Sequence, residues 1–266
     1  MRFDLGPALL FCPADRPDRY AKASERADAV ILDLEDAVAP SDRAAARDAL
    51  VAHPIDPATT IVRVNPAGTD DFALDLAALS ATDYRIVMLA KATSAEALIG
   101  FSVIALCETA AGVLAAPALA ATPNVVALMW GAEDLVASLG GTESRFRDGH
   151  YRAVALHARS AVLIAAGAHG KAAIDAVHLE IADTAGLGAE ARDAVASGFS
   201  AIACIHPSQV AIIRGAYAPS PEQIDYATAV LTAAESERGV FTFRGAMVDE
   251  PVLTHARRVL VRGGLR

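Results

Sequence analysis

The stretch Val125-Val126-Ala127-Leu128-Met129-Trp130-Gly131-Ala132-Glu133-Asp134 decides the fold. Apolar residues run unbroken from Val125 to Trp130, a glycine lets the backbone turn, and two carboxylates follow at once. A short apolar run bounded by turn residues reads as a strand buried on both faces. The same grammar recurs where Ala29-Val30-Ile31-Leu32 meets Asp33-Leu34-Glu35-Asp36, and where Val103-Ile104-Ala105-Leu106-Cys107 meets Glu108-Thr109. Any one of these acids fits as a cap for the helix that follows. Together they point to a shared site at one edge of a parallel sheet.

Outward from these runs the chain alternates. Strand-like segments fall at 8–11, 29–34, 60–64, 85–89, 102–107, 125–130, 172–177 and 200–205. Between them lie Ala-rich segments with helical periodicity at 16–26, 41–52, 70–80, 94–100, 110–121 and 151–166. Strands alternating with helices indicate a parallel sheet. Eight such strands predict a (β/α)8 TIM barrel over residues 1–218 rather than an open doubly wound sheet, and no GxGxxG follows any strand. Residues 219–266 are not needed to close a barrel. There Pro219, Ser220 and Pro221 open a helix to about 237, 239–245 reads as a hairpin-like arm, and 251–262 as an amphipathic helix. The segment is a candidate arm at a subunit interface.

Composition narrows the class. A chain that is 54% hydrophobic is not a disordered tail, and a net charge of -9 argues against a nucleic-acid surface. A small anionic ligand remains possible, held by a few local cations. The uncharged stretch 109–132 is broken by Gly112, Pro117, Pro123 and Asn124, so it reads as helix, turn and strand rather than a membrane span. Cys12, Cys107 and Cys204 are far apart and lie in or at the ends of strands, as buried reduced thiols do. The first apolar run, 8–11, is too short for a signal peptide. The chain reads as soluble and cytoplasmic.

Barrels of this kind place their chemistry at the C-terminal ends of the strands. The polar residues predicted there are Arg16 and Lys22 after strand one, Asp33, Glu35 and Asp36 after strand two, and Arg63 within strand three. Lys91, Glu108, Asp134 and His206 follow strands four, five, six and eight. An Arg inside an apolar strand must meet solvent or a buried anion, and its planar fork suits a carboxylate, either a ligand's or that of a mouth acid. Glu108 and Asp134, on neighbouring strands, suit one hard cation such as magnesium, which takes one or two carboxylates plus water and substrate oxygens. No His/Cys set has zinc spacing, and neither GxSxG nor a P-loop is present. His206 is open as a substrate contact or a structural histidine, and Lys91 as a minor Schiff-base route.

Several motifs then occur in a familiar order: Asp33-Leu34-Glu35-Asp36-Ala37-Val38, Arg63-Val64-Asn65, Glu108-Thr109-Ala110, Gly131-Ala132-Glu133-Asp134-Leu135 and Ile205-His206-Pro207-Ser208-Gln209. With them the sequence resembles the citrate lyase beta-subunit-like proteins, relatives of malyl-CoA and citramalyl-CoA lyases within the HpcH/HpaI aldolase superfamily. The resemblance implies a magnesium-dependent barrel that cleaves or forms a carbon–carbon bond in a β-hydroxyacyl-CoA. It implies Glu108 and Asp134 as metal ligands and Arg63 as the clamp on the 2-oxo or 2-hydroxy acid. It implies Arg16 and Lys22 at the coenzyme A phosphates, and Asp249 as a catalytic aspartate reaching a neighbouring subunit of a homotrimer. The chain is shorter than the beta subunits of the citrate lyase complex, which favours a free CoA thioester over a carrier-linked citryl group. It has Ala90 where the family often has Pro before the strand-four lysine. Two alternatives stay open: a metal-dependent aldolase acting on free 2-oxo acids, and a non-catalytic acyl-CoA-binding subunit.

Overall fold

The computed structural model describes residues 3–237 and 239–265. It divides into two compact units, one ending at Ile213 and the other starting at Arg214. In the first, eight parallel strands close into a barrel in sequence order: β1 (Ala8–Pro13), β2 (Ala29–Asp33), β3 (Thr60–Val64), β4 (Ile86–Leu89), β5 (Ser102–Cys107), β6 (Val125–Trp130), β7 (Ala172–Asp175) and β8 (Ala201–Cys204). β8 pairs back onto β1 through Leu10 and Cys204, so the sheet has no edge. Alternate residues fill the interior: Leu9, Ile31, Ile61, Met88, Ile104, Leu106, Met129 and Ile174 form one buried cluster. Their neighbours, such as Leu32, Val62 and Val87, are equally buried, toward the helical layer. With both faces covered, the strands read as unbroken apolar runs.

The helices of this unit are α1 (Tyr20–Arg26), α2 (Arg43–Ala52), α3 (Asp70–Ser80), α4 (Ala110–Ala121), α5 (Ala132–Ser138), α6 (Ala153–Ala168), α7 (Thr184–Ser197) and α8 (Pro207–Tyr217), the last crossing the boundary between the units. Thr69, Thr109 and Asp183 cap α3, α4 and α7 by accepting a backbone N–H in the first turn. One predicted helix is absent. Residues 94–100 carry only a three-residue 3-10 turn, Glu96–Leu98. Lys91 and Gly100 both lie in the left-handed region (φ 50° and 96°), so the connection is a looped crossover. Helices α5, α7 and α8 fill further connections beyond those segments, and α5 bears on the site because Glu133 and Asp134 occupy its first turn.

The second unit pairs α9 (Pro221–Ala234) with α10 (Glu250–Arg262), joined by a hairpin of β9 (Phe241–Phe243) and β10 (Ala246–Val248). Ser220 and Gln223 form a reciprocal capping box on α9. The hairpin turn takes positive φ at Arg244 and Gly245 (50° and 81°), as a tight two-residue hairpin turn requires. Val230, Val248, Ala256 and Val259 give this unit a buried cluster of its own. No helix among the described residues is long and apolar enough to cross a membrane.

Candidate active site

Parallel register brings the acids together. Asp33 ends β2 opposite Pro13 on β1 and Arg63 on β3. Its carboxylate is fully buried, and a buried charge needs a partner. Arg63 supplies it: Nε donates to Oδ1 at 2.7 Å and Nη2 to Oδ2 at 2.6 Å. The backbone N–H groups of Glu35 and Ala37 also donate to Asp33, at 3.0 and 3.1 Å. Arg63 Nη1 lies 3.3 Å from Glu35 Oε2, and its guanidinium sits over the Phe11 ring. Of the two partners the sequence left open for Arg63, the structure gives its fork to a mouth acid.

Glu108 follows β5 directly. The pairing of Cys107 with Trp130 sets it beside Gly131, where an ideal Cβ would lie 2.9 Å from Glu108 Cβ and 3.1 Å from its Oε2. Only glycine leaves that carboxylate its space. Glu108 is 3% exposed, and its Oε1 accepts the Lys91 backbone N–H at 3.0 Å. Burial, then the charges of Asp134 and Glu35, push its carboxyl up to about 8 against the pull of Arg63 and Lys91. Glu35 is likewise raised, by burial first.

Lys91 holds a left-handed backbone that a non-glycine residue rarely adopts, and such strain tends to collect at functional sites. Its ammonium reaches Glu35, Asp36 at 3.1 Å and Asp134 at 3.5 Å. Burial works to lower the Lys91 pKa, but the Glu35 hydrogen bond and charge outweigh it and the net shift is upward. A Schiff-base lysine needs the opposite shift. Lys91 is a counter-ion here.

The fit to a cation rests on the donor set. Glu108 and Asp134 are oxygen donors whose charges raise one another's cost, and a divalent ion would relieve that repulsion. No group of three or more His, Cys, Asp or Glu side chains among the described residues forms a closed metal cage. Two carboxylates with open positions suit a hard ion that keeps water and substrate oxygens.

Asp33, Arg63, Glu108 and Asp134 line a cleft of about 190 Å³ together with apolar residues that include Leu106, Met129 and Val177. Glu133 also lines it, pinned by the Ser144 hydroxyl at 2.5 Å. The other predicted residues lie elsewhere. Arg16 is exposed and paired with Asp18 through two bonds of 3.0 Å, and Lys22 is exposed on α1. Neither lines the cleft. His206 Nδ1 accepts the Ser208 backbone N–H at 3.2 Å, a local contact at the start of α8, and it is Ile205 that joins the lining. Asp249 belongs to the second unit, where its carboxylate caps α10 by accepting the Val252 N–H at 3.4 Å.

Sequence reasoning also missed Asp175, a buried carboxylate at the end of β7 that pairs with Arg159 and does not line the cleft. Its run, Ala172-Ala173-Ile174-Asp175, ends in an acid like the others, but the predicted strand ran through it to 177. An apolar run ending in a carboxylate was the signal that could have found it.

The model of the HpcH/HpaI aldolase/citrate lyase family matches residues 8–102 and 100–207. The chain belongs to this family. As a member of the HpcH/HpaI family it is an enzyme of the carbon–carbon lyase class, which sets aside the non-catalytic subunit. It is similar to a citrate lyase subunit beta-like protein of Mycobacterium tuberculosis, 56% identical over 97% of this chain and 96% of that protein. It is also similar to the mitochondrial citramalyl-CoA lyase of Homo sapiens, 31% identical over 95% of this chain and 84% of that one. Its fold superposes on the crystal structure of the M. tuberculosis protein CitE in complex with magnesium, acetoacetate and coenzyme A. That match has a TM-score of 0.93 at 56% identity and covers 98% of this chain and 99% of CitE.

Proposed function

We propose that the chain is a cytoplasmic, magnesium-dependent β-hydroxyacyl-CoA lyase. It reversibly cleaves a malyl-, citramalyl- or citryl-CoA-like thioester into acetyl-CoA, or another acyl-CoA, and a 2-oxo acid. The observation that carries this reading is the convergence of Glu108, Asp134 and Arg63 on one cleft at the strand ends of the barrel. The magnesium, acetoacetate and coenzyme A bound by the CitE relative support it.

Glu108 and Asp134 would hold the magnesium ion, which supplies Lewis acidity to the hydroxyl and carboxylate oxygens of the acid when bound. Arg63, fixed by Asp33, orients the acid through the N–H groups its partner leaves over, and such preorganised charge carries much of catalysis. Asp249, from a neighbouring subunit of a homotrimer, donates a proton to the carbon of the departing enolate and removes it in the condensation direction. Arg16 and Lys22 bind the coenzyme A phosphates, and His206 contacts substrate through the ring edge that Ser208 leaves unused.

The test is acetyl-CoA release from malyl-CoA, citramalyl-CoA and citryl-CoA, with magnesium and then with EDTA. Magnesium-dependent release that is lost in Glu108→Ala is the expected result. Absence of release from all of them by folded protein would refute it. A CoA-independent aldolase is the second reading, favoured by the position of Arg16 and Lys22 outside the cleft lining. Charge reversal at both should weaken thioester binding in the lyase and change nothing in the aldolase. Near-full turnover by an assembled Asp249→Asn variant would remove that residue from the mechanism.

A further inference from the structure

One rung between β2 and β3 is made by a side chain where the backbone would ordinarily make it. Leu34 N–H donates to Arg63 O at 3.0 Å, and the next step of this parallel ladder would carry the Asn65 N–H to Leu34 O. That N–H donates to Asp75 Oδ2 instead, at 2.9 Å. The Asn65 carboxamide takes over the rung, its Nδ2 donating to Leu34 O at 3.0 Å and to Asp75 Oδ2 at 2.8 Å. Both neighbours are acceptors, so only the nitrogen end of the amide fits there. Asn65 is 2% exposed, and Asp75, on α3, is fully buried. Arg47 of α2 donates from Nε to Asp75 Oδ1 at 2.7 Å, the charged partner that a buried carboxylate requires.

From this geometry we infer that Asn65, backed by Asp75, is a positioning residue that keeps Arg63 Nη1 available to the 2-oxo acid. The inference takes Arg63 as the acid's clamp from the lyase reading. Leu34 separates two acids that both face Arg63. Asp33 occupies Nε and Nη2, and Glu35 Oε2 stands 3.3 Å from Nη1. Glu35 is also held by the Lys91 ammonium. With the N–H and the C=O of Leu34 both fastened to β3 and Asn65, the backbone that carries Glu35 keeps a fixed spacing from Arg63. A Glu35 released by loss of the rung follows its charge onto Nη1, because opposite charges this close attract strongly where water is excluded. It then competes with the acid for the guanidinium nitrogen that Asp33 leaves over.

Pyruvate binding to full-length, magnesium-loaded protein, followed by calorimetry, reads that nitrogen without turnover. Asn65→Ala should weaken pyruvate binding by about 10–100-fold, the range for removing an outer hydrogen-bond partner of a ligand-holding group. Magnesium affinity measured without pyruvate should change far less, since Glu108 and Asp134 follow β5 and β6. Adding Glu35→Gln to Asn65→Ala should restore most of the lost affinity, because a neutral amide competes weakly for Nη1. A lowered Tm with unaltered pyruvate affinity would mean a structural tie only and would overturn the inference. A loss that Glu35→Gln leaves in full would overturn it equally. If Asn65→Ala does not fold, Asn65→Ser has one donor for the two acceptors, and the same measurements on it decide. If wild-type protein cleaves no thioester yet binds pyruvate, the lyase reading fails separately and these variants still decide. Failure of magnesium-loaded wild-type protein to bind pyruvate removes the clamp, and the inference with it.

Discussion

Arg63 and Asp33 form a two-point ion pair in the lining of the cleft, with Nε on Oδ1 at 2.7 Å and Nη2 on Oδ2 at 2.6 Å. Asp33 is fully buried and Arg63 only 9% exposed, so neither charge has water to fall back on. Removing Asp33 leaves Arg63 buried with only Glu35, 3.3 Å away, as counter-ion, so the loss falls near the lower end for a broken buried pair, about 3 kcal/mol. Asp33→Ala should lose about that much in a denaturant titration, and Asp33→Asn, which keeps a hydrogen-bond acceptor, distinctly less. Equal stability of Asp33→Ala and wild type would show that the pair contributes nothing net.

Glu108 makes the metal-free protein sensitive to alkaline pH. Its carboxyl is raised from 4.5 to about 8, chiefly by burial, so between those values the fold holds a proton that the unfolded chain has released. The stabilisation is fully present below pH 4.5 and is lost as pH rises through about 8. With EDTA present, the calorimetric Tm should fall from pH 6 to pH 9, and Glu108→Gln should flatten that slope. A cation held by Glu108 displaces the proton, so magnesium affinity should rise with pH and level off above about 8. Titrations in buffers of different ionisation enthalpy would count the proton released.

Lys91 places a positive charge 3.5 Å from Asp134 and donates its backbone N–H to Glu108. Charges that close interact by about 1–4 kcal/mol in a surface-like dielectric, so Lys91 opposes a cation held by Asp134. Lys91→Met should bind magnesium about tenfold more tightly by calorimetry. Borohydride reduction in the presence of pyruvate should leave no adduct on Lys91, since its ammonium is held protonated.

Burial pushes the Cys12 thiol up to about 11 and the Cys107 thiol up to about 12, and Cys204 is equally buried. Thiolates are the reactive species. Native protein at pH 8 should therefore show almost no reaction with a chromogenic disulfide reagent. In guanidinium chloride all three cysteines should react.

Much of this was legible along the chain because it is local. Apolar runs without alternation mean strands covered on both faces, and their number and spacing mean a closed parallel barrel. An acid after such a run lies at the C-terminal mouth whatever the rest of the chain does, which is how Glu108 and Asp134 could be named in advance. Residues 94–100 misled because a helical composition there is overruled by backbone turns at Lys91 and Gly100.

What the sequence by itself determined is the barrel and the edge on which its acids stand. Only tertiary structure decided their partners: Arg63 with Asp33 thirty residues away, Lys91 with Glu35 fifty-six away, Trp130 with Asp175 forty-five away. Strand periodicity says which face a residue occupies, but the register of barrel closure says which side chain stands opposite it. Burial then forbids leaving any of those charges alone, so the closed register and the cost of a buried charge together choose each pair.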